Sequence, residues 1–369
     1  MNIDIELIEK QISNLKKDKN SENNKKPQKN KKKTTKICIY DFFSANEIEI
    51  CEKIKEIPYF SQDFSIIEDY HFIKIGEMSE RSRQLLQTID KDENNIQSRN
   101  NQPKKEKKYL LIQYKEEKSI NFADFLFKFN TPKTFIFHIL NSYSALLDII
   151  IKLDNNDICF FDLSSENIFF RENGKPFLKS FCKSVLLNKL NETYISKIIP
   201  NITDYTCKPL EVYVLFYLIM NNEETLSYHF IETIVSFFID NMVVLTLFTE
   251  KYRESYKKEC VDYLKKYINR PKSEIISDLL VYYETWDNYS LSIIYLHIIG
   301  NIIRTFGLKD NFMGSFLKLL AKNICPNPLK RESMEKTRTN FEELFSHFTN
   351  WDFINDISPG KMKKLAELL

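Results

Sequence analysis

The chain of 369 residues is 43% hydrophobic, with 29 Phe and 19 Tyr, enough for one large or two ordinary domains around a sizeable core. A net charge of +2 excludes a global field that would steer it to nucleic acid. Seven scattered cysteines without a C-x-x-C pair, and five isolated histidines, argue against structural zinc and for reduced thiols in a cytosolic or nuclear compartment. No apolar run reads as long enough to cross a membrane and the N-terminus shows no signal-peptide core, so a soluble intracellular protein is expected.

Residues 1–35 read as a basic tail. Ile5, Ile8, Ile12 and Leu15 have helical spacing, and KKDKNSENNKKPQKNKKK behind them has no apolar residue with which to fold. Such a run is ordinarily a solvated tail; the functional alternatives are a nuclear signal or a contact with polyanions. KICIYDFF (36–43) reads as a strand. SANEIEICEKIKEI reads as a helix opened by a capping box, Ser44 with Glu47, and ended by Pro58. FSIIEDYHFIKI suggests one or two strands. A mobile polar loop is expected near 82–108, then a strand in YLLIQY (109–114) and a helix in INFADFLFKF. TPKTFIFHILNSYSALLDIIIKL reads as a long apolar helix with Pro132 in its first turn. IFFRENGKPFLKSF reads as a hairpin turning at Asn173-Gly174, and long helices follow Pro209.

Between the long helix and the hairpin lies FFDLSSENIFF (160–170), which sets Asp162 five residues before Asn167. Alone, such a stretch is a turn more often than a site, because Asp, Ser and Asn bond their own backbone. Downstream stand YTCKPLEV with Glu211, WDNYSLSIIYL with Asp287, and CPNPLKRES with Arg331. Each alone is ordinary structure. In this order, behind a D-x-x-x-x-N loop and before a hairpin, they resemble the protein kinase superfamily, from about Lys36 to the C-terminus and most clearly from Tyr109. The Lys-, Asn- and Ile-rich style is similar to kinase-like proteins of large DNA viruses.

The resemblance implies an α+β, bilobal protein-kinase-like fold. Residues 36–115 would form a reduced β-rich small lobe, and 116–369 a mainly helical large lobe with a helical insert at about 222–283. It implies ATP and Mg as cofactors, Asp162 as catalytic base and Asn167 as a metal ligand. Ile112 would be the gatekeeper, and Gln113 to Lys115 would offer backbone groups to an adenine. Glu211 would pair with Arg331, and Asp287 would hold the backbone of the Asp162 loop. Lys36, ahead of the helix bearing Glu47, Glu49 and Glu52, is the one substitute for the phosphate-binding lysine.

The chain also departs from the family pattern. Ser180-Phe181-Cys182 stands in the D-F-G slot, and a neutral hydroxyl is a poor ligand for a hard cation. No glycine precedes Gly76, so no glycine-rich phosphate loop exists, and Ser164 stands where a lysine normally follows the catalytic Asp. Phe160 and Phe161 replace the family's His-Arg. Glu211 and Asp287 lie 76 positions apart instead of about a dozen, which makes room for the insert, read as core packing or as a docking surface for a protein partner or substrate. The expected function is a pseudokinase or scaffold. The alternatives are an active, unorthodox Ser/Thr-type kinase using Asp162, and an unrelated helical interaction protein in which the loop is a turn.

Overall fold

A computed structural model describes residues 33–74, 108–115, 117–128, 131–221, 223–307 and 311–358, with positions 76, 78, 80, 360, 362 and 365. The helix expected near Ile5–Leu15, nearly all of the basic tail, and the loop at 82–107 lie outside the described residues.

The fold is mixed α+β, with small antiparallel sheets beside a larger helical body. Strand β1 (Lys33–Ile39) leads into helix α1 (Phe42–Lys55), and strands β2 (Ile67–Ile73) and β3 (Tyr109–Lys115) complete a sheet of order β1-β3-β2. The expected Ser44–Glu47 capping box does not form. Asp41 caps α1 instead, accepting the Ser44 amide at 2.9 Å, while its own N–H donates to Ser44 Oγ at 2.9 Å. The physical consequence is that Glu47 is released from the helix start and turns inward.

Strand β4 (Ser119–Asn121), absent from the sequence reading, precedes helix α2 (Phe122–Phe127), which Asn121 caps through the Asp124 amide. Helix α3 (Pro132–Asp154) starts at Thr131 with Pro132 in its first turn, as expected. One expectation is corrected here. Among the described residues α3 is the one helix long and apolar enough to span a membrane, and 61% of its most apolar window is buried inside the protein. Strand β5 (Ile158–Cys159) pairs with β8 (Val185–Leu186), and between them β6 (Ile168–Arg171) and β7 (Pro176–Leu178) form the hairpin. Gly174 takes φ +80°, the left-handed conformation that the turn demands of a residue without Cβ. Strand β4 joins the hairpin along β6.

Helices α4 (Glu192–Ile198) and α5 (Leu210–Met220) follow. The stretch between Glu211 and Asp287 folds largely as α6 (Tyr228–Asn241), α7 (Glu250–Leu264) and α8 (Lys272–Leu280). Helix α9 (Trp286–Phe306) is buried on almost every side, the mark of a central helix. Its polar positions are satisfied internally: Ser290 Oγ donates to the Cys207 carbonyl at 2.7 Å, and Asn288 Nδ2 to Thr337 Oγ1 at 3.0 Å. Gly300 admits Leu247 so closely that a Cβ there would lie 2.5 Å from Leu247 Cδ1. Helices α10 (Phe312–Asn323) and α11 (Met334–His347) pack behind α9.

Arg331, in the loop between α10 and α11, is held by hydrogen bonds on every side of its guanidinium. Its guanidinium donates to Glu211 Oε1 at 2.7 Å and Oε2 at 2.8 Å, to Thr285 Oγ1 at 2.9 Å, to the Cys325 carbonyl at 2.8 Å and to the Pro326 carbonyl at 3.4 Å. All five N–H groups have acceptors, and both partners of the ion pair are fully buried. Removing one partner would strand a buried charge. Arg331→Ala should therefore destabilise by about 3–5 kcal/mol in urea unfolding, whereas the exposed neighbour Lys330→Ala should change stability by less than about 0.5 kcal/mol. Equal tolerance would contradict the buried pair.

Asp154 ends α3 at the negative pole of its helix dipole. Burial, with Asp287, Glu284 and Asp157 nearby, pushes its carboxyl up from 3.8 to about 6. The fold thus favours the protonated acid. That stabilisation is complete below about pH 4 and is lost as pH rises through about 6. Asp154→Asn should be more stable than wild type at pH 8, by on the order of 1–2 kcal/mol, and the gap should narrow toward pH 4 in parallel thermal melts.

Candidate functional site

The loop 160–167 is held from beneath by one carboxylate. Asp287, in the first turn of α9, accepts the Phe160 amide at 2.6 Å and the Phe161 amide at 2.8 Å. Burial pushes its acid upward, and the two amides and the charge of Lys208 oppose that. Phe161 adopts φ +63°, which is strained for a bulky L-residue. Both sides of that strained residue are clamped. Its N–H goes to Asp287, and its carbonyl accepts Lys208 Nζ at 2.6 Å. Its ring packs 5.4 Å from Trp286.

Asp162 is thereby presented at the head of the loop, half-buried. One oxygen takes Lys208 Nζ at 3.2 Å and the other takes Lys183 Nζ at 3.1 Å. Asn167 closes the same loop: its Nδ2 donates to the Asp162 carbonyl at 2.6 Å, and its own carbonyl accepts the Lys179 amide at 3.1 Å. Ser180 follows directly, exposed and at φ +69°. Phe181 is buried, with its ring edge-on to Phe160 at 5.2 Å and to Phe64 at 6.0 Å.

Glu47, freed by the Asp41 cap, lies against the Phe181 amide and the Tyr114 hydroxyl. Burial raises its acid, and the charge of Lys36 is the largest opposing effect. Lys36 is exposed on β1, opposite Ile112 of β3. Cys182 has Glu47, Lys183, Asp162 and Lys36 as its charged neighbours. The structure therefore gathers Lys36, Glu47, Asp162, Asn167 and Ser180 around the 180–182 segment.

The three β3 positions are placed differently. Ile112 is buried. Gln113 sits in the central strand, opposite Thr35 on one flank and Asp69 on the other. Lys115 ends the strand and pairs with Glu117 at 3.3 Å, which also takes Arg171 at 3.0 Å. Close to this cluster, Lys179 Nζ lies 4.0 Å over the Phe169 ring and donates to Ser119 Oγ at 3.2 Å, and burial lowers its pKa.

Sequence reasoning missed Lys183, Lys208 and Lys179. Lys208 carried a signal: it stands in the apolar C-K-P-L run and is only 2% exposed, and a lysine at a buried position must find an anion. Among the described residues, no three His, Cys, Asp or Glu side chains gather to hold a metal ion. No protein-family model matches the chain, and no curated protein matches it.

The clamp has a measurable signature. Lys208→Met would leave the Phe161 carbonyl and half of the Asp162 carboxylate unpaired in a buried setting, at a cost of about 2–4 kcal/mol. Lys183→Met removes one partly exposed pair and should cost less, about 1 kcal/mol. Urea titration of both variants distinguishes the two lysines, and equal costs would show that Lys208 is not the structural one.

Proposed function

We propose that the chain is a divergent protein-kinase-like domain whose nucleotide cleft has become structural, a pseudokinase acting as a binding or scaffold module. The bilobal plan is supported by the β1–α1–β2–β3 unit, with Lys36 and Glu47 in mutual electrostatic range, set against the loop 160–167. It is supported further by Asp287 under that loop and by the Glu211–Arg331 pair.

The observation that carries the loss of transfer is at Asp162. Each carboxylate oxygen holds a lysine, and the Asn167 amide nitrogen is bonded within its own loop. A base needs a free lone pair aimed at the substrate hydroxyl, and two ammonium groups on one carboxylate crowd that approach. The donors present fit a divalent cation poorly: Asn167 Oδ1 and the Ser180 hydroxyl are neutral, and the Asp162 charge is already opposed by two ammonium groups. One missing electrostatic contact costs about 3 kcal/mol of a reaction barrier, and several are missing here.

The second reading, an active Ser/Thr-type kinase, is favoured by one observation. Lys208 supplies beside Asp162 the cation that Ser164 does not.

A thermal-shift titration decides between them, because a ligand that binds only the folded state raises its melting temperature. Wild type should shift by less than about 1 °C with ~1 mM ATP, with or without Mg²⁺ or Mn²⁺. Ser180→Asp should enlarge a metal-dependent shift if the cleft admits nucleotide at all. Robust γ-phosphate transfer by wild type, abolished in Asp162→Asn, would overturn the proposal in favour of the enzyme.

A further inference from the structure

Helices α7 and α10 diverge to leave a groove of about 480 Å³ that continues onto the loop at 325–330. One wall is aromatic. Phe248 and Tyr252 stack at 4.6 Å with their rings 20° apart, and Tyr256 beneath them is anchored by a 2.6 Å hydrogen bond to the Ile324 carbonyl. The opposite wall is Leu317 and Ala321. The groove is thus large enough for one or two large apolar side chains, and its base is tied down by the Tyr256 hydroxyl.

The rim is cationic on balance. Lys318, Lys322 and Lys330 line it and are exposed, against the single acid Glu259. Lys322 is offset by Glu332 at 3.5 Å, but Lys318 and Lys330 have no ion partner among the described residues. A cationic rim around an apolar trough selects an occupant of opposite charge with an apolar anchor, since rim charges set encounter and register while the buried anchor supplies affinity. The chain's own lysine run at 16–33 has the wrong sign for it, and residues 1–15, with Asp4, Glu6 and Glu9 against Lys10, lie outside the described residues.

We infer that the groove between α7 and α10 docks an acidic peptide segment of a protein partner, with a Phe or Leu of that segment seated against Tyr252 and Leu317. The inference does not rest on the kinase-like reading, because its walls are α7 and α10 and not the loop 160–167. It gives the helices between Glu211 and Asp287 a partner-binding role with a defined chemistry.

The test is a random dodecapeptide phage library panned against the full chain, with the best selected peptide then labelled for fluorescence anisotropy. Selected sequences should be rich in Asp and Glu and carry at least one Phe, Leu or Trp. The labelled peptide should bind at least tenfold more weakly to the Lys318→Glu/Lys330→Glu protein and to Ala321→Trp, which fills the trough. Its affinity should fall several-fold between 50 and 300 mM salt. Circular dichroism melts show whether each variant is folded, and the surface charge reversal retains a readout if the Trp variant is not. No selection, selection without acidic bias, or equal binding by folded variants would each overturn the inference. So would displacement of the peptide by a dT12 oligonucleotide at lower concentration than by the unlabelled peptide, which would make the rim a nucleic-acid contact.

Discussion

The Arg331 guanidinium is the point from which the rest of the site is fixed. By joining the first turn of α5 through Glu211 to the residue ahead of α9 through Thr285, it sets where α9 begins. Two residues on, Asp287 is then held under the loop 160–167 and bonds two successive amides of it. A buried ion pair contributes little net stability by itself, because desolvation offsets its Coulomb gain. Its effect here is specificity. Any other packing of the 325–331 loop would strand a charge in the core.

The loop so held is strained, and the strain is retained because it is over-determined. Phe161 has a left-handed backbone with an acid on its N–H and a lysine on its carbonyl, and Ser180 across from it is left-handed too. Left-handed non-glycine residues cost of order 1–3 kcal/mol and gather where geometry matters. In this protein the geometry presents Asp162, yet the same lysine that holds Phe161 also occupies Asp162. One cation serves both, so freeing the Asp162 carboxylate would loosen the loop beneath it.

Much of the fold was legible because the chemistry is local. The hairpin at Asn173-Gly174 needs only a turn that glycine alone adopts freely, and the start of α3 needs only Thr131 and Pro132. The pairing of Glu211 with Arg331 and the placement of Asp287 were read from the order of motifs, and their geometry agrees with it. The helix start was misread because Asp41 and Ser44 are both good caps, and local sequence does not say which one the preceding strand leaves free. Strand β4 was missed because three residues have no periodicity; they are strand only because β6 offers them an edge.

The sequence by itself determined the start of α3, the hairpin at Asn173-Gly174 and the loop that carries Asp162 and Asn167, since these depend on neighbours within a few positions. Only the tertiary structure decided what those residues touch. Lys183 arrives from 21 positions away and Lys208 from 46, and both end on the same carboxylate. No spacing rule reports such a meeting, because it follows from how β8 and α5 are packed and not from the loop. The same holds for Glu47, whose inward turn depends on which residue caps its helix. Whether an acid is a base, a ligand or a strut is settled by the cations that the fold delivers to it.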